Sequence, residues 1–272
     1  MSLLSPERYI VVLGATRVQL VRRRAGQLLD LGSADYASRD LGDWAAPADA
    51  LERLLAGQPR RRGSLSVVLS EHFARFTLVP WSEAIVSPAE LSAYARLRFE
   101  EIYGSDAAGW ALQLSPEAAG QPRLAVAVAS GLLDRLAALA RGAGLRLASV
   151  QPYLMSAFNR LCRPLAGDDF LFLLAEPERS CLLVAREGRW VAVRSVAGSD
   201  ADAALAVLLE RESELQELDA STPTAIYVHA PGRPDLMPAR VHGVRPQVLG
   251  APARGPSGEA VNPLWAMAAT VN

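Results

Sequence analysis

Three histidines, two cysteines and several acidic clusters are the side chains here whose chemistry could serve a reaction or a metal. His72, His229 and His242 lie far apart, and none has the helical i, i+4 partner or the Cys/His spacing of a metal site. No metal is expected. His72 follows Glu71 in a turn, where fixing the turn or lining a cleft is a simpler use than catalysis. Cys162 falls in a helical pattern and Cys181 in a buried-strand pattern, so both read as small core hydrophobes rather than a disulfide. Glu210, Glu212, Glu214 and Glu217 come late in an amphipathic stretch and read as a solvated helix face. Arg22 to Arg24 and Arg60 to Arg62 lie at turns without interleaved aromatics, which argues against nucleic acid. There is no G-x-S-x-G elbow, no P-loop and no G-x-G-x-x-G. What remains is the backbone itself, at the turns of the chain, where N–H groups could meet an anion.

The elements that carry those turns are duplicated. Between Asp169 and Val196 lie three apolar runs, Phe170 to Leu174, Cys181 to Ala185 and Trp190 to Val196, separated by EPERS and REGR. That pattern is a three-stranded antiparallel meander. The N-terminus repeats it as Tyr9 to Leu13, Arg17 to Arg22 and Gln27 to Leu31, with GATR and RRAGQ as turns. Each copy is followed by an amphipathic helix, Pro47 to Ala56 or Asp200 to Leu218, and then by another strand, Leu65 to Leu69 or Ala225 to His229. A duplicated strand-strand-strand-helix-strand unit is the plan of the α/β actin-like (RNase H-like) ATPase fold, with two lobes facing a nucleotide cleft.

Composition fits this plan. A chain of 272 residues, 50% hydrophobic, can bury a large core. The net charge of -1 supplies no field to hold nucleic acid or an anionic membrane. Residues 1–8 lack the charged start and apolar stretch of a signal peptide, and no run of eighteen apolar residues occurs. The expectation is a soluble cytoplasmic protein that meets a membrane only through a partner.

A subdomain interrupts the first copy. Trp44 to Pro59 reads as a helix burying Leu51, Leu54 and Leu55, with Gly57 and Pro59 as stops. After Leu69, the stretch SEHFARFTLVPW holds a strand from Phe73 to Val79. Ser87, Pro88 and Glu90 form a capping box opening a helix. That helix carries Leu91, Tyr94, Ala95, Phe99 and Ile102 on its inner face. Strands follow at Trp110 to Leu114 and Leu124 to Ala129. Ser130 is then expected to cap a helix with Leu132, Leu133, Leu136 and Leu139, before a strand from Leu145 to Val150 and a helix from Pro152 toward Leu161. The organisation read from this is a first lobe at 1–69 and 124–163, an inserted subdomain at 70–123, and a reduced second lobe at 164–272. The last contains the Pro/Gly-rich stretch GAPARGPSGEAVNP and a short terminal helix from Leu264 to Ala269.

Four stretches in this order, LSEHFARFTLVPW, SPAELSAYARLRFEEIYG, RLAVAVASGLLDRLAALARGAGLRLASVQPYLMSAFNRL and FLFLLAEPERSCLLVAREGRWVAVRSVAGSD, resemble the PilM family and the cytoplasmic domain of GspL, including MshI-like members. These are actin-like proteins of type IV pilus and type II secretion platforms, and the resemblance runs from Tyr9 to Pro231. It implies a scaffold that binds the N-terminal cytoplasmic tail of a single-pass inner-membrane protein, PilN-like or GspM-like, in a cleft between the first lobe and the inserted subdomain. Such a scaffold would sit peripherally at the inner membrane and could form a homo-oligomer. PilM-like members bind ATP and GspL-like members do not.

The turns of this chain depart from a working nucleotide site. Gly14 and Thr16 suit a phosphate, but Leu13 stands where a carboxylate for Mg²⁺ belongs, and a tight hairpin turn calls for Gly14 by itself. In the second turn Pro177 removes a donor, and Glu176 and Glu178 bring negative charge to where phosphates would lie. The third segment keeps one glycine of an expected pair, Gly232. The reading is a pseudo-ATPase with no catalytic residues and no required cofactor, weak ATP binding being left open. Partner-binding residues are placed at the lobe–insertion junction: His72, Phe73, Arg75 and Trp81. Trp81, Trp110 and Trp190 serve either as peptide anchors or as closures of small cores. The rival readings are an actin-fold ATPase or sugar-kinase-like phosphotransferase, and the cytoplasmic half of a GspL-like chain.

Overall fold

In chain order, the first meander is β1 (Glu7–Leu13), β2 (Arg17–Arg24) and β3 (Gln27–Asp35), followed by α1 (Ala45–Ala56) and β4 (Gly63–Leu69). The insertion brings β5 (Ala74–Val79), α2 (Pro88–Tyr103), a 3₁₀ turn (Gly104–Gly109), β6 (Trp110–Leu114) and β7 (Arg123–Ala129). The chain returns through α3 (Ser130–Gly142), β8 (Leu145–Pro152) and α4 (Tyr153–Ala157), which runs on as a π-helical turn, Phe158–Cys162. The second copy comprises β9 (Phe170–Glu176), β10 (Arg179–Arg186), β11 (Arg189–Ala197), α5 (Asp202–Leu215), β12 (Ala225–His229), β13 (Gln247–Val248) and α6 (Pro263–Ala269). The computed structural model describes residues 7–37, 43–57, 62–217, 224–233, 235–250 and 262–271. Pro59, Arg60, Arg61, Leu218 and most of the Pro/Gly-rich stretch, 251–261, lie outside the described residues.

The two main sheets have the same architecture. Their strand orders are β3-β2-β1-β4-β8 and β11-β10-β9-β12-β13. In each the meander is antiparallel, and its first strand pairs in parallel with the strand after the helix. A parallel strand at the middle of a sheet is covered on both faces and so must be apolar throughout. β9, FLFLLAE, is buried along its whole length, and β1 is buried from Tyr9 to Leu13. One continuous core joins residues of β1, β4, α3, β9 and α6, so the lobes share apolar packing.

The third sheet, β5-β7-β6, belongs to the insertion. β7 pairs antiparallel with both β5 and β6, so the boundary expected between residues 123 and 124 assigns this strand to the wrong neighbours. α2 covers the sheet through Ala95 and Phe99, and Phe99, Tyr103 and Trp110 form an aromatic trio in the subdomain's core. Trp110 is therefore a core closure.

Local signals differ from expectation at a few points. Ser87 caps α2 by accepting from Glu90 N–H at 3.2 Å, but the Glu90 carboxylate accepts from Val86 N–H, one residue before the usual capping-box donor. Ser130 is the first helical residue of α3, and the cap position is Ala129 with no side-chain bond. Ile102 is exposed, although its spacing from Ala95 and Phe99 puts it on the same side of α2, in the helix's last turn. Glu212 is not on a solvated face: it is 1% exposed, and its carboxylate accepts from Arg194 Nε at 2.9 Å. Cys162 and Cys181 are free and buried, as read from their patterns.

Candidate functional site

The first and second turns face one another across a small cleft of about 310 Å³, lined by Gly14 to Arg17, Glu176 to Glu178, Pro231 and the start of α6. The first turn is used internally. Gly14 N–H donates to Arg17 O at 2.9 Å, the Tyr36 hydroxyl donates to Gly14 O, and Arg17 pairs with Asp35. Gly14 is not required by a left-handed backbone, since its φ is not positive. A Cβ added there would lie 2.4 Å from Leu264 Cδ2 of α6, so the glycine makes room for a leucine, not only for a turn. Thr16 is exposed at the rim. Gly232 meets only Pro263 at an ordinary 4.0 Å and would accept an alanine.

The second turn is a two-residue loop, Pro177–Glu178, with Glu178 in the left-handed region at φ 63°. Glu176 does not present charge to the cleft as expected. Its carboxylate is buried and turned toward the first lobe, where it accepts from Ser70 Oγ at 3.0 Å and from Glu71 N–H at 2.8 Å. Glu71 in turn accepts from Leu154 N–H at 2.5 Å, at the start of α4. Burial pushes the Glu176 carboxyl up to about 7. Burial first and the neighbouring Glu176 second push Glu71 up to about 8. A pair like this holds a proton near neutrality, because burying two charges is costly and Arg179, which acts on both, does not offset that cost.

A second polar link crosses the lobes beside it. His229 Nδ1 lies 2.9 Å from Leu249 O, which can only accept, so Nδ1 carries the proton and Nε2 accepts from the Tyr153 hydroxyl at 2.5 Å. Gly250, at φ +86°, is excluded from bearing a side chain by His229, 3.0 Å from its ideal Cβ. Burial lowers His229 to about 4, keeping it neutral. Ser70 donates to Glu176, so the 2.8 Å contact between Ser70 Oγ and His72 Nδ1 is donated by the histidine. His72 Nε2 is buried with no hydrogen-bond partner among the described residues. These groups fasten the lobes. They are buried, so none of them stands beside open space.

The larger concavity lies elsewhere. A groove of about 680 Å³ runs between the insertion (Phe76, Leu124, Val126 and the Gln113 to Glu117 loop), the end of α4 with its π turn, and the second lobe at Phe170 and Trp190. Phe158 stacks on Phe170 with centroids 5.6 Å apart and meets Trp190 edge-on at 5.4 Å. Trp190 Nε1–H donates to Glu117 at 3.0 Å, binding the insertion to the second lobe. Arg163 and Asp168 stand exposed on its rim. The groove therefore has three walls.

The residues expected at the lobe–insertion junction divide. His72 and Phe73 are buried and offer no surface, and Arg75 is spent on the carbonyls of His72 and Ala74. Trp81, 41% exposed, lines a separate pocket of about 360 Å³ at the end of the insertion, with Ile85, Leu91 and Arg123. The structure does not bring Trp81 to the main groove. The groove-lining residues Phe158, Phe170 and Arg163 are not among the partner-binding residues expected from the sequence. The available signal was aromatic density, for three of the six phenylalanines fall between 158 and 172.

No family model matches the sequence, and no curated protein does. Solved structures do match. The cytoplasmic domain of EpsL, an inner-membrane component of the type II secretion system of Vibrio cholerae, aligns at TM-score 0.58 and 14% identity, covering 97% of this chain and 94% of that one. PilM in the PilM–PilN type IV pilus biogenesis complex aligns at TM-score 0.59 and 18% identity, over 93% and 90% of the chains. A Bacteroides thetaiotaomicron protein with an actin-like ATPase fold aligns at TM-score 0.56 and 8% identity, over 84% and 82%. With its duplicated sheets and the cleft between their turns, this chain has the actin-like ATPase fold, and its structural neighbours include EpsL and PilM, the two kinds of protein its sequence resembles.

Proposed function

We propose that this protein is a non-catalytic actin-like scaffold of a type IV pilus or type II secretion assembly. It works at the cytoplasmic side of the inner membrane and captures the N-terminal tail of a single-pass partner, PilN-like or GspM-like. The observation that carries this reading is the three-walled groove, with Phe158, Phe170 and Trp190 as its apolar wall and Arg163 and Asp168 at its rim. Its size is that of a site for a short segment rather than a folded domain, and aromatic walls with a polar rim supply anchoring and orientation respectively. A contact this small suits avidity-assisted assembly. The pseudo-ATPase reading is supported by a first turn that uses its own donors, a second that contains proline, and an acid, Glu176, turned away from the cleft. Among the described residues no helix is long and apolar enough to cross a membrane, so on this reading attachment comes through the partner.

The test is fluorescence anisotropy with a labelled synthetic peptide of the partner's cytoplasmic tail. Charge reversal at the exposed rim, Arg163→Glu or Asp168→Arg, is expected to weaken binding about tenfold while leaving the fold intact. Tail binding indifferent to both reversals moves the site elsewhere. Saturable Mg-ATP turnover by the purified chain favours the phosphotransferase reading instead.

A further inference from the structure

α6 is the last element of the second lobe, yet it docks on the first. Leu264 fills the space that a side chain at Gly14 would need, and Pro263 lies against Gly232. Asn262 caps the helix by accepting from Leu264 N–H at 3.0 Å, and its Nδ2 donates to Gln19 Oε1 of β2, a glutamine 1% exposed, at 3.0 Å. At the other end Thr270 Oγ1 donates to Ser156 Oγ of α4 at 2.9 Å. Leu264, Met267, Ala268 and Val271 are all part of the shared core. The helix thus touches the first turn, the segment after β12 and α4 together, and its first residues line the cleft between the lobes. Two of the glycines that sequence reasoning connects with a nucleotide, Gly14 and Gly232, are both faced by this helix.

We propose that α6 is the built-in occupant of the cleft: Leu264 takes up the space at Gly14 while Pro263 rests against Gly232, and the helix so sets the separation of the lobes, the role a bound nucleotide would otherwise fill. The physical reason is a trade of ligand for segment. A triphosphate holds two lobes by polar contacts to both turns, whereas α6 does so by apolar contact, supplied by the chain at a fixed high effective concentration. A helix of seven residues has no stability of its own, so its helical state and its docking are one event. Loosening the dock therefore releases both glycine segments together. This inference rests on reading the cleft as non-catalytic, and not on capture of a tail.

The experiment is a double-mutant cycle with hydrogen exchange on the full chain. Gly14→Ala alone is expected to lower the folding equilibrium constant about tenfold, from overpacking against Leu264. On a Leu264→Ala background the further loss should shrink to about threefold or less, because the colliding methyl is gone. Where Leu264→Ala does not fold, Leu264→Val carries the same cycle. In the Leu264 variants the amides of residues 14–17 and 230–233 should exchange about tenfold faster, with the β5-β7-β6 subdomain unchanged. An undiminished cost of Gly14→Ala in the Leu264 variant would assign the glycine to Arg17 O, 3.0 Å away, and overturn the proposal. So would faster exchange confined to α6, or Mg-ATP binding to the wild-type chain while α6 stays protected. Failure of tail capture leaves all these readouts untouched, which separates the two readings.

Discussion

The two lobes repeat one hydrogen-bonding plan and part company at the ends of their first strands. β1 pairs with β4 from Glu7 opposite Gly63 to Leu13 opposite Leu69, and β9 pairs with β12 from Phe170 opposite Ala225 onward. Both strands have seven residues, so Tyr9 corresponds to Phe172 and Leu13 to Glu176. The first pair is alike: two large rings, buried at the centre of each sheet. The second pair is not. Leu13 ends its strand as a hydrocarbon in the core, while Glu176 ends the matching strand as a buried acid bonded to Ser70 and Glu71 of the other lobe. The sheet demands only apolar strands in register. The turn beyond it was free to change, and each lobe spent that freedom differently, the first on receiving α6 and the second on latching to the β4–β5 link.

The most severe way to break this comparison is to empty its equivalent core positions. Tyr9→Ala and Phe172→Ala should each cost about 3–5 kcal/mol, read by urea denaturation. A cost below about 1 kcal/mol at either position shows that the rings are not equivalent in packing.

The unlike pair is probed next, by titration. Both Glu71 and Glu176 have folded values raised from the ordinary 4.5, to about 8 and about 7. The folded state therefore binds more protons than the unfolded chain above pH 4.5. Their contribution is fully present below that value and is lost as pH rises through 7 and 8. His72 and His229 act oppositely, because burial lowers both to about 4. Their neutral forms support the fold above pH 6.5, and that support is lost as pH falls toward 4. Thermal stability should accordingly peak between these limits and decline toward pH 8.5. Glu71→Gln should remove much of that alkaline decline, a gain on the order of 2 kcal/mol at pH 8.5. A wild-type profile flat from pH 5 to 8.5 contradicts the latch. Glu176→Leu, which copies the first lobe's residue, should instead destabilise by about 1–3 kcal/mol, since Ser70 Oγ and Glu71 N–H lose their acceptor.

The smallest effect belongs outside both lobes. Leu97 and Ile102 are exposed on α2, and Leu97→Lys or Ile102→Lys should change stability by no more than about 0.5 kcal/mol. A larger loss in the isolated chain means that this face of the insertion packs against another part of the protein.

How much of this was legible depended on the range of the interaction. The meanders, the helix cap at Ser87 and the two free cysteines could be read because their signals lie within a few residues of one another. Glu212 was misread because its partner, Arg194, stands on β11, and a helix's charge pattern carries no record of a strand packed beside it. β7 was given to the wrong unit for a similar reason, as an apolar run does not say which edge it will join. The expected partner residues His72 and Phe73 stand where the chain passes from first lobe to insertion, and that junction folds inward.

Apolar spacing and turn residues alone determined that this chain folds as a duplicated α/β unit with an insertion, because strand and helix periods are local properties of the polypeptide. Only the tertiary structure decided which side chains meet at the centre: Leu264 with Gly14, Glu176 with Ser70 and Glu71, Phe158 with Trp190. Those contacts join residues tens to hundreds of positions apart, and it is burial that sets their chemistry, making one acid a latch and one glycine a seat for a helix.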